Sequence, residues 1–205
     1  APIVTSANNQ EKVFLEYLEG AQLIAGTGFS GDAVILIGQA GTRSSVHDTK
    51  FVTGVNGATI DTSGLTDGIH VIRTQCPRLT NITIKNVVTN GMVIDMPDES
   101  REVYSSDAYV ENIFIVGVDS NNENSTGMIV NGHDNDIRNI RVHFTNIGIN
   151  ITGSHNRISN AHPVRGAADS ELTAFNKSVA FCVGNNNIYL DNCYSDNFAT
   201  GISVD

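Results

Sequence analysis

The chain has 205 residues, 40% hydrophobic and 17% charged, with 12 basic against 22 acidic side chains and a formal net charge of −10. One domain with an ordinary core fits that length. The apolar content excludes a disordered chain, and no stretch reaches the roughly 20 apolar residues that cross a bilayer, so no membrane insertion is expected. An acidic chain without basic clusters also argues against nucleic acid, whose affinity comes from Lys and Arg neutralising phosphates.

Cys76, Cys182 and Cys193 are odd in number, widely spaced and without a CxxC pair, so neither a disulfide framework nor a zinc site is signalled. The opening Ala1-Pro2-Ile3-Val4 shows no charged segment leading into an apolar run, the pattern of a signal peptide. There are 21 Ile and 20 Val against 8 Leu, with 17 Thr. Such β-branched side chains crowd a helix and suit a pleated surface. The 23 Asn and 19 Gly imply many tight turns.

In chain order, 13–18 and 19–24 admit an amphipathic helix, but Gly20 and the following Ala33-Val34-Ile35-Leu36-Ile37 favour strands, giving irregular first coils over 1–57. Gly57-Ala58-Thr59-Ile60-Asp61 leads into regular repeats over 58–205. One phrase recurs there: Gly68-Ile69-His70-Val71-Ile72, Gly91-Met92-Val93-Ile94-Asp95, Gly127-Met128-Ile129-Val130-Asn131, Gly148-Ile149-Asn150-Ile151-Thr152 and Gly201-Ile202-Ser203-Val204-Asp205. A degenerate copy is Ser178-Val179-Ala180-Phe181-Cys182. A second phrase lies between the copies, starting at Asn81, Asn112, Asn139, Asn156 and Asn187.

The unit is about 22 residues, interrupted by two insertions, and one so short cannot bury its own apolar face. Stacking in parallel closes a shared core, so the expected fold is all-β: a single-stranded parallel β-helix, or solenoid. Alternation places Ile69, Met92, Met128, Ile149, Val179 and Ile202 in one inward column, and Val71, Ile94, Val130, Ile151, Phe181 and Val204 in the next. Asn86, Asn160 and Asn192 are read as one stacked turn position, an asparagine ladder.

Over roughly 13–205 these coils resemble the pectate-lyase-like right-handed parallel β-helix superfamily, in particular the stems of bacteriophage tailspikes and neck appendages. The resemblance implies right-handedness, which the crossover rule also favours. It further implies a homotrimer, a place in a phage virion tail or outside the cell, and bacterial surface polysaccharide as partner. Neither end carries a cap, so the 205 residues are expected to be a piece of a longer chain forming one β-helix domain.

Outward positions of the first strand include Ile72, Val93, Ile129 and Ala180, an apolar set expected to be covered by a neighbouring subunit or by a loop of the same chain. The second strand offers Thr83, Phe114, Arg141, Arg157 and Tyr189 in one row and Lys85, Val116, His143, Ser159 and Asp191 in the other, a mixture suited either to a sugar or to a solvated sheet. The insertions at 97–109 and 161–178 add titratable groups. Hydrolysis of a glycosidic bond needs two carboxyl groups about 5 to 9.5 Å apart. No row supplies them, so Asp95 with Glu99 or Glu102 is the candidate catalytic set. Candidate substrate-binding residues are Tyr104, Tyr109, Arg141, His143, Tyr189 and Asp191, and His143 beside Arg141 is the nearest approach to a lyase. His133 and His155 are read as equivalent turn residues. No metal or cofactor is assigned, with calcium at Asp134 and Asp136 the alternative. The function expected is binding, with or without depolymerisation, of surface polysaccharide. The alternatives are a non-catalytic receptor-binding or structural stem, and a secreted polysaccharide lyase.

Overall fold

The computed structural model describes residues 3–5, 14–16, 22–38, 54–72, 74–95, 106–166 and 172–204. The early strands are β1 (Ile3–Thr5), β2 (Phe14–Glu16), β3 (Gln22–Ile24), β4 (Ala33–Gly38), β5 (Gly54–Asn56) and β6 (Thr59–Asp61). Then come β7 (Asp67–Ile72), β8 (Arg78–Val87), β9 (Asn90–Asp95), β10 (Tyr109–Gly117), β11 (Thr126–Val130) and β12 (Asp136–His143). The chain continues through β13 (Ile147–Ile151), β14 (Arg157–Ser159), β15 (His162–Val164), the single turn α1 (Leu172–Asn176), β16 (Val179–Val183), β17 (Tyr189–Asp191) and β18 (Thr200–Val204). Among the described residues α1 is the only helix, and no helix is long and apolar enough to cross a membrane.

The protein is all-β, with its strands in two parallel sheets. Sheet A runs β1-β4-β7-β9-β11-β13-β16-β18, and sheet B runs β17-β14-β12-β10-β8-β5-β2, with β3, β6 and β15 paired to it. From β7 on the chain alternates between the sheets. Each strand hydrogen-bonds to its counterpart in the next repeat, as in Met92↔Met128 and Met128↔Ile149. One continuous core fills the space between them.

Local chemistry explains the register. In sheet A, Ile35, Ile69, Met92, Met128 and Ile149 form a fully buried inward column, and Ile37, Val71, Ile94, Val130 and Ile151 form its neighbour. Phe181 continues the first column and Val183 the second, since Ile149 pairs with Phe181 and Ile151 with Val183. The sequence assignment of Val179 and Phe181 was therefore two residues out. Ala180, expected outside, is fully buried at the glycine position.

Glycine recurs before the first column because sheet B comes very close there. A methyl on Gly91 would lie 2.4 Å from Ile115 Cγ2 and 2.6 Å from the Gly127 carbonyl, and one on Gly127 would lie 2.2 Å from Val142 Cγ1. Ala180 is accommodated where the residue in register with Ile115, Val142 and Pro163 is the small Ser195.

The bend inside sheet B is an asparagine ladder. Asn81 Nδ2 donates to Asn56 Oδ1 at 2.9 Å, Asn112 to Asn81 at 3.0 Å, Asn139 to Asn112 at 3.2 Å, Asn160 to Asn139 at 3.2 Å and Asn192 to Asn160 at 2.6 Å. From Asn81 onward each has φ between 51° and 57°, a left-handed backbone that asparagine tolerates better than most residues. Asn160 and Asn192 are thus ladder members as expected. Asn86 is not: it sits five residues later, and its Nδ2 donates to Asp61 Oδ1 at 2.7 Å. The left-handed residue also inverts the in-out alternation, so Leu79 and Ile82 are both buried on either side of it.

Candidate functional site

The outer face of sheet B carries most of the described positive charge. Arg78, Lys85, Arg138, Arg141 and Arg157 all lie there, and among the described residues only Arg165 and Lys177 lie elsewhere. Register sorts the face into four rows. Before the ladder run Arg78, Tyr109, Asp136, Arg157 and Tyr189, beside Thr80, Glu111, Arg138, Ser159 and Asp191. After it run Thr83, Phe114, Arg141, His162 and then Tyr194, beside Lys85, Val116, His143, Val164 and Asp196. Arg157, Ser159, Tyr189 and Asp191, expected beside Arg141 and His143, belong to the other arm. In their place stand His162, Tyr194 and Asp196, and β15 makes His162 a sheet residue instead of part of an insertion.

On the first arm the Tyr109 ring is flanked by the guanidinium carbons of Arg78 at 5.8 Å and Arg138 at 5.7 Å. Its hydroxyl donates to Glu111 Oε2 at 2.8 Å, and that bond holds the phenol above its ordinary pKa. Tyr109 thereby stands between two cations, half-buried. Tyr189 is 65% exposed on β17, the edge strand of sheet B among the described residues, and lines, with Arg157, Ile188, Leu190 and Asp191, a groove of about 570 Å³ along that edge. Arg157 Nη2 stands 3.7 Å from Asp191 Oδ2 across it. The volume lies in the range of small-ligand sites.

On the second arm Arg141 Nη1 donates to His162 Nδ1 at 2.5 Å and reaches the Tyr194 hydroxyl at 3.4 Å. His162 Nε2 lies 2.9 Å from Asp196 Oδ2, and its ring stacks on Tyr194 at 3.9 Å. Tyr194 is 51% exposed, as the last described member of its row. His143 meets Phe114 edge-on at 4.9 Å. Burial pushes its pKa below the ordinary histidine value, and the nearby His162 and Arg141 push the same way.

At the end of β6, in register with Lys85, burial alone would raise Asp61. The bonds from Asn86 and the Ser63 amide, with Lys85 at 3.4 Å, outweigh it and hold the carboxyl below its usual range.

These two shifts act in the same direction as pH falls. A histidine depressed by folding takes up its proton more readily when unfolded, so its contribution is complete above pH 6.5 and is lost as pH falls below that value. Asp61 contributes above the ordinary carboxyl value of 3.8, and its share disappears only at lower pH, as its depressed pKa is crossed. Between about pH 6.5 and pH 5 the melting temperature of the parent protein is expected to fall more steeply than that of His143→Gln, followed by circular dichroism. Equal slopes would remove His143 from the account.

On sheet A, Asp95 Oδ2 lies 3.2 Å from His70 Nε2, and Asn131 Nδ2 donates to Asp95 Oδ1 at 3.2 Å. Thr152 extends this line by donating to Asn131. Asp95 is in register with Ile72, and Glu99, Glu102 and Tyr104 lie outside the described residues. Ile72 and Val93 are only 7% and 6% exposed in a single chain, which agrees with the second of the two expectations, coverage from within the same chain.

His133 and His155 are not equivalent. His133 Nδ1 contacts Ser154 Oγ at 2.6 Å, and the left-handed His155 matches the left-handed Asp134 one repeat earlier. Asp136, one of the two calcium candidates, is ion-paired with Arg138. Among the described residues no three His, Cys, Asp or Glu side chains gather as a metal site.

No protein-family model, curated protein or solved structure matches this chain.

Proposed function

We propose that the chain is a right-handed parallel β-helix of the tailspike or neck-appendage kind, and that the outer face of sheet B binds a bacterial surface polysaccharide. The observation that carries binding is the pairing of exposed rings with fixed hydrogen-bonding groups. Tyr189 stands over a groove with Arg157 and Asp191, and Tyr194 stands beside Arg141 and His162. Rings of this kind cover the apolar face of a pyranose, while guanidinium, imidazole and carboxylate groups bond its hydroxyls. A β-helix is supported by the repeated passage of the chain between two parallel sheets and by the asparagine ladder from Asn56 to Asn192. Trimerisation and a place in a virion tail enter with the resemblance.

Binding is the part of this reading that the described residues carry. No strand row among them sets two carboxylates side by side, and Asp95 is engaged by His70 and Asn131. Full-length protein titrated against host capsular and O-antigen polysaccharides is expected to bind at least one. Tyr189→Ala is expected to weaken that binding about tenfold, the scale of an aromatic anchor. Following reducing ends and the ultraviolet absorbance of unsaturated uronates separates hydrolase, lyase and binder. Unaltered affinity in both Tyr189→Ala and Tyr194→Ala would remove this face from the function.

A further inference from the structure

Three of the five cations on sheet B are matched by carboxylates, Lys85 by Asp61, Arg138 by Asp136 and Arg157 by Asp191, and of the two that are not, Arg78 lies over the Tyr109 ring. Arg141 is exposed, and no ion pair joins it to a carboxylate among the described residues. Its two contacts are a ring nitrogen and a phenol oxygen. A guanidinium carries five N–H donors and accepts nothing, so the His162 nitrogen facing it must be the bare one. The proton of His162 then sits on Nε2 and is given to Asp196 Oδ2.

Asp196 therefore orients Arg141 through a neutral imidazole and does not touch it. Direct pairing would both fix and neutralise the guanidinium. Here the side chain is fixed while no carboxylate among the described residues neutralises it. Holding a long side chain in one rotamer beforehand lowers the entropy lost on binding. A planar fork with parallel N–H donors fits a carboxylate in two-point contact better than it fits a lone hydroxyl.

We propose that Arg141 reads a carboxylate substituent on the polysaccharide, with His162 and Asp196 as positioning residues, so that the polymer bound by this face is anionic. This rests on the polysaccharide reading above and adds the chemical class of the sugar. Tyr194, stacked on His162 and within reach of Arg141, places a ring beside the same carboxylate.

The test uses uronate-bearing bacterial polysaccharides, each beside its own carboxyl-reduced form, titrated into the full chain by calorimetry. The parent protein is expected to favour the native polymer about tenfold or more, the scale of one charge-assisted bond. In Arg141→Gln that ratio falls toward one. It falls likewise in His162→Phe, which keeps a ring stacked on Tyr194 but removes both nitrogens. A purely structural role for His162 would weaken both forms equally and leave the ratio intact, which would overturn its positioning role. Thermal melts of each variant show that it is folded. Equal binding of native and reduced polymers by the parent protein overturns the anionic assignment and leaves the polysaccharide reading standing. Failure to bind any polymer overturns both.

Discussion

Gly127→Ala is expected to cost about 3 kcal/mol or more, the upper range for forcing an extra group into a filled core. The added methyl would lie 2.2 Å from Val142 Cγ1 and 2.6 Å from the Gly148 carbonyl. The two clashes differ in kind. A side chain can be trimmed, whereas the carbonyl belongs to the next strand of sheet A and is fixed by its pairing. Gly127→Ala combined with Val142→Ala should therefore recover only part of the loss. Gly184→Ala is the control, because a methyl there meets Thr152 Cγ2 at 3.6 Å, an ordinary contact. Chemical denaturation measures the loss. Hydrogen exchange in β9, β11 and β13 shows whether it is local, as expected where each repeat touches mainly its neighbours. A stability change below about 1 kcal/mol would contradict the close approach of the sheets.

The same glycines show what could be read from the chain alone. Gly68, Gly91, Gly127 and Gly148 are required by a steric constraint that repeats, so they mark the repeat in the sequence. The apolar residues after them fell into register without the structure. The marker fails at Ala180, where Ser195 leaves room for a methyl, and there the alignment slipped by two residues. On sheet B a similar loss of signal had a larger effect. Asn139-Ile140-Arg141-Val142 is followed one repeat later by Asn160-Ala161-His162-Pro163, in which both inward positions have lost their β-branched side chains. Asn156-Arg157-Ile158-Ser159 looks more like the repeat and draws the alignment to itself. That slip separated Arg141 from His162, Tyr194 and Asp196. The signal that would have joined them is the ladder asparagine, which must occupy a left-handed position once in each repeat.

Arg165 marks a different limit. It is fully buried, its Nη2 donates to the Ser120 carbonyl at 3.1 Å and to Asn121 Oδ1 at 2.9 Å, and its guanidinium lies 5.4 Å from the Phe175 ring. Nε and Nη1 are buried and have no acceptor among the described residues. A charged residue in an insertion reads from sequence as a surface group. Only tertiary packing reveals it as the tie between the 118–125 loop and the chain after β15.

Asn156 and Asn160 lie four residues apart and look interchangeable in the sequence, yet Asn156→Ala is expected to cost far more than Asn160→Ala. Asn160 is exposed at the ladder. Its two amide bonds there, to Asn139 and from Asn192, can be replaced by water. Asn156 is fully buried and its side chain satisfies four groups at once. Its Oδ1 accepts from the Asn135 amide at 3.0 Å and from Asn135 Nδ2 at 2.8 Å, while its Nδ2 donates to the Gly132 and Gly153 carbonyls, each at 2.9 Å. Asn135 is itself buried and accepts from the Ala108 amide at 2.9 Å, so the network spans three repeats. Removing the Asn156 amide strands donors and acceptors where water cannot reach them, at about 1–3 kcal/mol for each group left unpaired. Relaxation makes the sum less than additive, and a total near 4 kcal/mol is expected against about 1 kcal/mol for Asn160→Ala. Asn156→Asp sharpens the comparison, because it keeps the one oxygen that accepts both bonds from Asn135 and replaces the donor to the two carbonyls with an acceptor, while Asn160→Gly keeps the left-handed backbone without strain. Urea denaturation of the four variants ranks them, and an Asn160→Ala loss equal to that of Asn156→Ala would mean that the ladder on the surface, and not the buried amide network, holds successive repeats in register.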